Sequence, residues 1–558
     1  MAKPGTTRPR DSSGATTARR LDGWGFDGES VEPSGEMLAW LARCFEPGPA
    51  FPRFDPDQLG KMSEPGNTPL PDLGGEISRD LRDRLAHSRG RGFSDLVRLR
   101  SGSVPRLCDA VARPADDDEL ESLLRNAAAA ELRVIPWGGG TSVTGGVNVL
   151  DDPRPVVTLD LERLSGLEAL DPVSRLATLG AGTPGPAVEA ALAPHGLTLG
   201  HFPQSWELST VGGWVATRSA GQESLGSGRI ESLVAGLDLV APGGRLHLPT
   251  LPASAAGPDL RHLALGSEGR FGVIPRAVLR VRPKPERFAV VAALAPSWEQ
   301  GVEAARDLVQ QGTPLALLRL SDGPETEVAM AIGLAKSRFA ALVRGYLRLR
   351  GIGQGMALML LGASGGEAQV ERTLDQALDR LRRHRVVSLG EGPGRHWIAD
   401  RFRHPYLRDS LFDHGIATDT FETAVPWSGI EHMVTTVRRA LEGAVAEGER
   451  RIPVLCHLSH PYRDGASLYF TFFFRCPPDP DAAIERWADL KRRATRAVVD
   501  GGGTLSHHHG IGSWHAPWYP EEAGEMGVRV LRSMAKELDP KQTLVPGVLL
   551  DPEDRLTL

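Results

Sequence analysis

Pro136-Trp137-Gly138-Gly139-Gly140-Thr141-Ser142-Val143-Thr144-Gly145-Gly146 follows directly on the apolar run Val134-Ile135. Five glycines and three hydroxyl side chains in eleven residues are poor material for a core. They bring backbone N–H groups close to whatever lies over them and add hydroxyl donors, which suits a pyrophosphate. The spacing is not the GxGxxG that opens a Rossmann helix, and no Walker lysine follows, so neither of those nucleotide folds is indicated.

Two further loops have the same character. Gly200-His201-Phe202-Pro203-Gln204-Ser205 leads into Ser209-Thr210-Val211-Gly212-Gly213-Trp214, and Leu265-Gly266-Ser267-Glu268-Gly269-Arg270-Phe271-Gly272-Val273-Ile274 comes later. From these we take Pro136, Gly138, Gly139, Gly140, Thr141, Ser142, Gly145, Gly146, Pro203, Ser205, Ser209, Thr210, Gly212, Gly213, Glu268, Gly272, Val273 and Ile274 as cofactor-binding candidates.

Around the loops, β-branched runs alternate with helical stretches. Val134–Trp137, Val156–Asp160 and Ala177–Gly182 read as strands and Glu119–Ala130 as a helix, the pattern of an α+β unit. After Arg282-Pro283-Lys284-Pro285 the helical segments lengthen, at Trp298–Gln311 and Glu367–Arg385. The aromatic run Leu468–Phe474 is strand-like, and a last helix is expected over Pro520–Leu538. The expected organisation is a disordered tail over 1–20, an N-terminal helical region over 21–103 and a cofactor domain over 104–285. A cap domain over 286–500 and a C-terminal segment over 501–558, packed back on the cofactor domain, complete it.

The chain has 558 residues, 64 basic against 70 acidic, and a net charge of -6, which gives no electrostatic footprint for nucleic acid. Its four cysteines, Cys44, Cys108, Cys456 and Cys476, lack metal or redox spacing and read as reduced. The first residues carry no apolar core of a secretory signal, and Leu556-Thr557-Leu558 is not a peroxisomal tripeptide. No apolar run is long enough to span a bilayer. Val328–Arg350 instead mixes apolar residues with Lys336, Arg338, Arg344, Arg348 and Arg350; a surface helix packed by one face is the plainer reading, and an interfacial helix delivering a lipid substrate the sharper one.

Ser506-His507-His508-His509-Gly510-Ile511-Gly512 concentrates three of the 16 histidines before a glycine turn. Imidazoles titrate near neutrality, so such a cluster suits proton transfer. Metal is the rival. Neighbouring residues of a strand face opposite ways, so only His507 and His509 would share a site, and no HxxxH or carboxylate pattern completes it; no metal is expected.

The three loops in this order resemble the FAD-binding domain of the vanillyl-alcohol oxidase / p-cresol methylhydroxylase flavoproteins. Asp22-Gly23-Trp24-Gly25, Arg319-Leu320-Ser321-Asp322, Tyr406-Leu407-Arg408-Asp409, Phe421-Glu422-Thr423-Ala424-Val425-Pro426-Trp427 and the Ser506–Gly512 phrase narrow the resemblance to the alkyldihydroxyacetonephosphate synthases, over Asp22–Leu549. The resemblance implies a two-subdomain FAD-binding domain with an α+β cap, FAD as cofactor and a homodimer. It also implies exchange of the acyl group of acyl-dihydroxyacetone phosphate for a fatty alcohol through a flavin N5 adduct. That chemistry asks for a base, a cationic pocket and an apolar channel. Tyr469, His507, His508 and His509 are the catalytic candidates, and Arg319, Arg408, His457 and His460 the substrate-binding ones. Where those enzymes carry a Cys-Arg pair, this chain has Cys456-His457-Leu458-Ser459-His460, exchanging a fixed cation for two titratable groups at the substrate's anionic end. The competing expectation is an FAD-dependent oxidase or dehydrogenase of a 2-hydroxy acid such as lactate or glycolate. The expected setting is the cytoplasm, with a small-molecule or lipid substrate and peripheral membrane contact. His87 and His201 are the positions to inspect for covalent flavin.

Overall fold

A computed structural model of the chain describes residues 18–55, 70–334, 345, 347, 349–550, 553 and 555–557. Two small sheets make the N-terminal half. Strands Ala110–Arg113, Val156–Asp160 and Arg133–Trp137 pair in parallel, with Glu76–Ser78 added antiparallel at one edge. Parallel pairing needs a crossover; helix Asp117–Ala129 supplies it, capped by the Asp116 side chain and burying Leu120, Leu123, Leu124 and Ala127. The second sheet is antiparallel, in the order Leu167–Asp171, Leu176–Gly180, Arg276–Arg280, Val234–Ala241, Gly244–Leu248. One apolar core joins both sheets, reaching from Leu120 and Val157 to Leu179 and Leu239.

The second half is a seven-stranded antiparallel sheet in the order Val387–Gly390, Arg287–Ala295, Ala357–Gly365, Leu317–Ser321, Val454–Ser459, Gly465–Arg475, Ile416–Pro426. The last two strands pair over eleven residues, with Glu422 opposite Tyr469 and Thr420 opposite Thr471. Alternation then fixes the faces. Phe421, Phe470, Phe472 and Phe474 point into the core shared with helices Ile430–Glu442 and Pro480–Asp500, while Thr418, Thr420, Tyr469 and Thr471 line a cavity on the other face.

The chain then returns to the first half. Val134 N–H donates to Thr543 C=O at 2.8 Å and Val545 N–H to Val134 C=O at 2.9 Å, so the C-terminal stretch lies along the glycine-loop strand.

The helices and strands read from sequence fall within a few residues of those found, the third strand ending at Gly180 and the final helix, Tyr519–Leu538, kinked at Gly524. Three expectations are corrected or bounded. Arg19 and Arg20, assigned to the tail, are held in the fold: Arg19 bridges to Phe26 and donates to Gly139 C=O at 2.6 Å. Residues 1–17 lie outside the described residues. The cationic helix is described as Gly323–Leu334, with 335–344 outside the described residues. The histidine triplet is not on a strand but in an irregular loop, whose Gly510 and Gly512 take left-handed φ of 85° and 58°.

Candidate active site

A cavity of about 660 Å³ lies between the glycine loops and the inner face of the large sheet. At one end Gly138–Gly140 leave no room for side chains. A Cβ on Gly138 would stand 2.3 Å from Thr210 Oγ1, and one on Gly139 2.0 Å from Leu208 C=O. Thr210 Oγ1 is buried without a hydrogen-bond partner, which costs free energy unless a ligand oxygen meets it. A cradle of close backbone with a waiting hydroxyl fits the pyrophosphate of FAD. Pro136, Gly138, Gly139, Gly140, Thr141, Ser142, Gly146, Pro203, Ser205, Ser209, Thr210, Gly212, Gly213, Glu268, Gly272, Val273 and Ile274 all border this space. Gly145 does not: it packs on Ser513 and Trp514 behind the loop.

Glu268 joins the third loop to the histidines. Its carboxylate accepts Ile511 N–H at 2.8 Å and Gly512 N–H at 2.7 Å, and burial raises its pKa to about 7.

Glu422 is the anchor of the histidine loop, and sequence reasoning did not single it out. Only 2% exposed, it accepts the backbone N–H groups of His508 at 2.6 Å and His509 at 2.7 Å and contacts the His508 ring. Burial opposes its charge, but the surrounding imidazoles hold its pKa well below the usual range. The three rings therefore gather around one carboxylate rather than alternating. His508 and His509 line the cavity. His507 does not; it stands behind them, with Nε2 2.6 Å from Tyr462 Oη and Nδ1 3.0 Å from His508 Nδ1. Burial lowers His509 to about 4 and His507 well below its ordinary value, so both are neutral at physiological pH. The expectation that no carboxylate completes the cluster is also corrected: donor atoms of Glu422, His508 and His509, and of His460, His507 and His508, lie within 4.8 Å of one another. Glu422 was legible only as part of a phrase; its cue was strand parity with Thr418 and Thr420.

Tyr469 stands edge-on to His509 at 5.7 Å and stacks on His457 at 4.9 Å. Its hydroxyl donates to Thr420 Oγ1 at 2.9 Å, and burial raises its pKa to about 12, so the phenol keeps its proton. Arg319, Arg408, His457 and His460 all border the cavity. Arg319 is paired with Glu325, another residue the sequence reading passed over, as it did His404 in the same wall; Trp24, quoted only as part of a phrase, also borders the cavity. Arg408 keeps a buried Nε without a hydrogen-bond partner, its nearest carboxylate being Asp409 at 4.0 Å. His460 adopts φ of 44°, a strained conformation of the kind that clusters at functional sites, and its Nδ1 lies 2.8 Å from Ser224 Oγ. Beyond these polar groups Met37, Val328, Ala329, Ile332, Leu411 and Phe473 form an apolar branch of the cavity.

His87, beneath Trp137, is engaged through both nitrogens, with Nδ1 3.1 Å from Asp83 and Nε2 3.1 Å from Asp160. His201 is buried, its Nε2 3.1 Å from Ser219 Oγ. The four cysteines are buried and unpaired. Among the described residues no helix is long and apolar enough to cross a membrane.

Comparison with known proteins agrees with this architecture. Residues 108–248 match the family model described as an FAD binding domain, and 284–549 the C-terminal domain of FAD linked oxidases. The fold matches p-cresol methylhydroxylase with substrate bound at a TM-score of 0.63 and 12% identity, over 85% of this chain and 94% of that one. Fold and cavity thus define an FAD-dependent enzyme of the vanillyl-alcohol oxidase type. A solved alkyldihydroxyacetonephosphate synthase superposes with a TM-score of 0.77 at 26% identity, over 95% of this chain and 98% of that one. The alkyldihydroxyacetonephosphate synthase of Trypanosoma brucei brucei is 32% identical over 85% of this chain and 78% of its own. The chain belongs to the alkyldihydroxyacetonephosphate synthase family.

Proposed function

We propose that this enzyme replaces the acyl group of acyl-dihydroxyacetone phosphate with a fatty alcohol, with FAD bound in the glycine cradle. The observation that carries the reading is the meeting, in one cavity, of the flavin cradle, a neutral His509 beside Tyr469, the Arg408 guanidinium, whose Nε has no hydrogen-bond partner, and an apolar branch. FAD supplies the centre at which the acyl and alkyl groups are exchanged.

The protein's own groups do the rest. Neutral His509 is in the form that accepts a proton, here one alpha to the substrate carbonyl. Tyr469, protonated and with its hydrogen engaged by Thr420 Oγ1, fixes the wall beside His509 and offers its hydroxyl oxygen as an acceptor. His508, held at its backbone N–H and ring by Glu422, packs against His509 and positions it in the cavity wall. Arg408 binds the anionic head group, and the apolar branch takes the acyl or alkyl chain, each buried methylene contributing about 0.8 kcal/mol.

Ile332 both lines the cavity and is 44% exposed, so the apolar branch reaches the surface there, beside the sequence that continues into the cationic stretch. This supports substrate uptake from a membrane surface, with peripheral contact at that edge; co-sedimentation with anionic vesicles, lost at high salt, tests it. The expected homodimer is tested by light scattering.

The deciding assay supplies acyl-dihydroxyacetone phosphate and a labelled long-chain alcohol under anaerobic conditions. Label entering the phosphate-bearing product while the flavin stays oxidised supports exchange. Stable flavin bleaching by lactate or glycolate, with no exchange, would assign the enzyme to 2-hydroxy acid oxidation instead.

A further inference from the structure

We propose that His508, His507 and Tyr462 form a proton relay that carries the hydrogen lost by the incoming alcohol from the cavity wall to the outside of the protein. This rests on the exchange reading, which supplies that proton.

His508 borders the cavity, whereas His507 and Tyr462 do not. Tyr462 is nevertheless only half-buried and is followed by the exposed Arg463 and Asp464, so its open side faces external solvent. Between these ends the polar atoms run without a break. His508 Nδ1 lies 3.0 Å from His507 Nδ1, and His507 Nε2 lies 2.6 Å from Tyr462 Oη. His507 is itself closed off from water, with 6% of its surface exposed, and each of its nitrogens faces one neighbour. In that arrangement an imidazole passes a proton on, taking it at one nitrogen and releasing it at the other.

The surroundings hold the three groups in register. Glu422 accepts the His508 backbone N–H at 2.6 Å and meets the ring at Nδ1. His460 stacks on His507 at 5.1 Å and stands edge-on to His508 at 5.3 Å. At the outer end Arg229 donates to His507 C=O at 2.8 Å, and its Nε lies 3.2 Å from Glu231. Burial holds His507 neutral and raises the pKa of Tyr462, so each begins a turnover with a single transferable hydrogen.

The transfer balances. Replacing an acyl by an alkyl group turns an ester and an alcohol into an ether and a carboxylate, and leaves one proton over. With Nδ1 engaged by Glu422 and His507, Nε2 of His508 is the nitrogen left to take it. His508 then releases its Nδ1 hydrogen to His507 Nδ1, His507 its Nε2 hydrogen to Tyr462 Oη, and Tyr462 its own hydroxyl hydrogen to outside water. Both rings end in the other tautomer. The reverse transfer resets them once product leaves, delivering a proton to the water that enters the cavity. A relay is needed because a chain filling the apolar branch shuts that water out while the proton is produced.

The test uses the flavin-loaded full chain and the labelled-alcohol exchange assay. Tyr462→Phe keeps the ring and removes only the outer oxygen. It is expected to keep the flavin spectrum and the KM for acyl-dihydroxyacetone phosphate but to lose on the order of 10²-fold in kcat, the lower end of an acid–base contribution. Imidazole buffer, a mobile proton carrier, is expected to raise that kcat at fixed pH while leaving wild type unchanged. His507→Gln breaks the same route one step further in, so the double variant should be no slower than the slower single one. Should Tyr462→Phe fail to fold, His507→Gln decides alone, and a wild-type rate in it ends the proposal. Tyr462→Phe at wild-type rate, a slow Tyr462→Phe that imidazole does not revive, or a double variant slower than both singles overturns the relay. A wild-type enzyme that performs no exchange overturns the reading beneath it instead.

Discussion

Glu422 holds His508 at two points, accepting its backbone N–H on one oxygen at 2.6 Å and contacting its ring with the other. Glutamine at this position preserves the shape and one acceptor oxygen for the loop, while removing the charge that faces the imidazoles. Glu422→Gln is therefore expected to fold and retain flavin but to lose about 10²- to 10⁴-fold in kcat, the usual scale of a general acid–base contribution. Steady-state kinetics beside the visible spectrum check this, and turnover within threefold of wild type would take Glu422 out of the mechanism.

Thr210 Oγ1 gives a test confined to the cofactor. It is buried and unpartnered beside Gly138, so removing it should cost the unloaded protein nothing. Thr210→Val is expected to leave unfolding of the flavin-free protein unchanged and to weaken FAD on the order of tenfold, one charge-assisted hydrogen bond. Flavin titration followed by fluorescence quenching measures it. Unchanged FAD affinity would separate Thr210 from the pyrophosphate.

The fold was largely readable because its signals are local. Clustered glycines mark close backbone approach, and the alternation at Leu468–Phe474 marks a strand with one buried face. What stayed hidden depends on pairings distant in sequence. Glu422 reaches His508 only because strand Ile416–Pro426 runs beside a loop 86 residues away, and Arg319 meets His457, 138 residues on, only because strand Leu317–Ser321 pairs with strand Val454–Ser459. Alternation does not hold for the triplet because it lies in a loop, where Glu422 accepts the backbone N–H groups of both His508 and His509 and both residues border the cavity.

His87 ties the pH dependence of stability to the flavin side. Although burial opposes it, Asp160 and Asp83 raise its pKa to about 9. Its contribution, up to about 3 kcal/mol for a shift from 6.5 to 9, is complete below about pH 6.5 and lost as pH rises through 9. On the acid side His509, lowered to about 4, and His201 and His515, lowered to about 3, all first by burial, bind protons more readily when unfolded, so stability falls as pH drops below 6.5. Melting scans should peak between about pH 6.5 and 8, and His87→Gln should flatten the alkaline slope alone. With both its nitrogens occupied, His87 has no lone pair for flavin attachment, so the denatured chain is expected at its unmodified mass; an added flavin mass at His87 would contradict the pairing.

Lys491 and Asp419 form a buried pair behind the reactive wall, 2% and 4% exposed. Lys491 donates to Asp419 at 3.2 Å and to Thr420 C=O at 3.0 Å, while Trp487 donates to the same Asp419 oxygen at 2.7 Å. Thr420 in turn receives the Tyr469 hydroxyl, so the lysine fixes the strand position that aims the phenol. Breaking such a pair from one side leaves a buried charge and costs about 3–5 kcal/mol, whereas removing both charges is far milder. Lys491→Met should therefore lower the melting temperature sharply, and Lys491→Met/Asp419→Asn should recover most of it. Recovery of the fold should not restore catalysis, because Thr420 is still released and Lys491 no longer helps Glu422 and His508 set the His509 pKa. The lysine lowers that pKa more than Asp419 raises it, so in the double variant the acid limb of the kcat profile should move to higher pH, with kcat reduced and flavin content intact. A double variant with a wild-type profile and rate would reduce Lys491 to a purely structural residue.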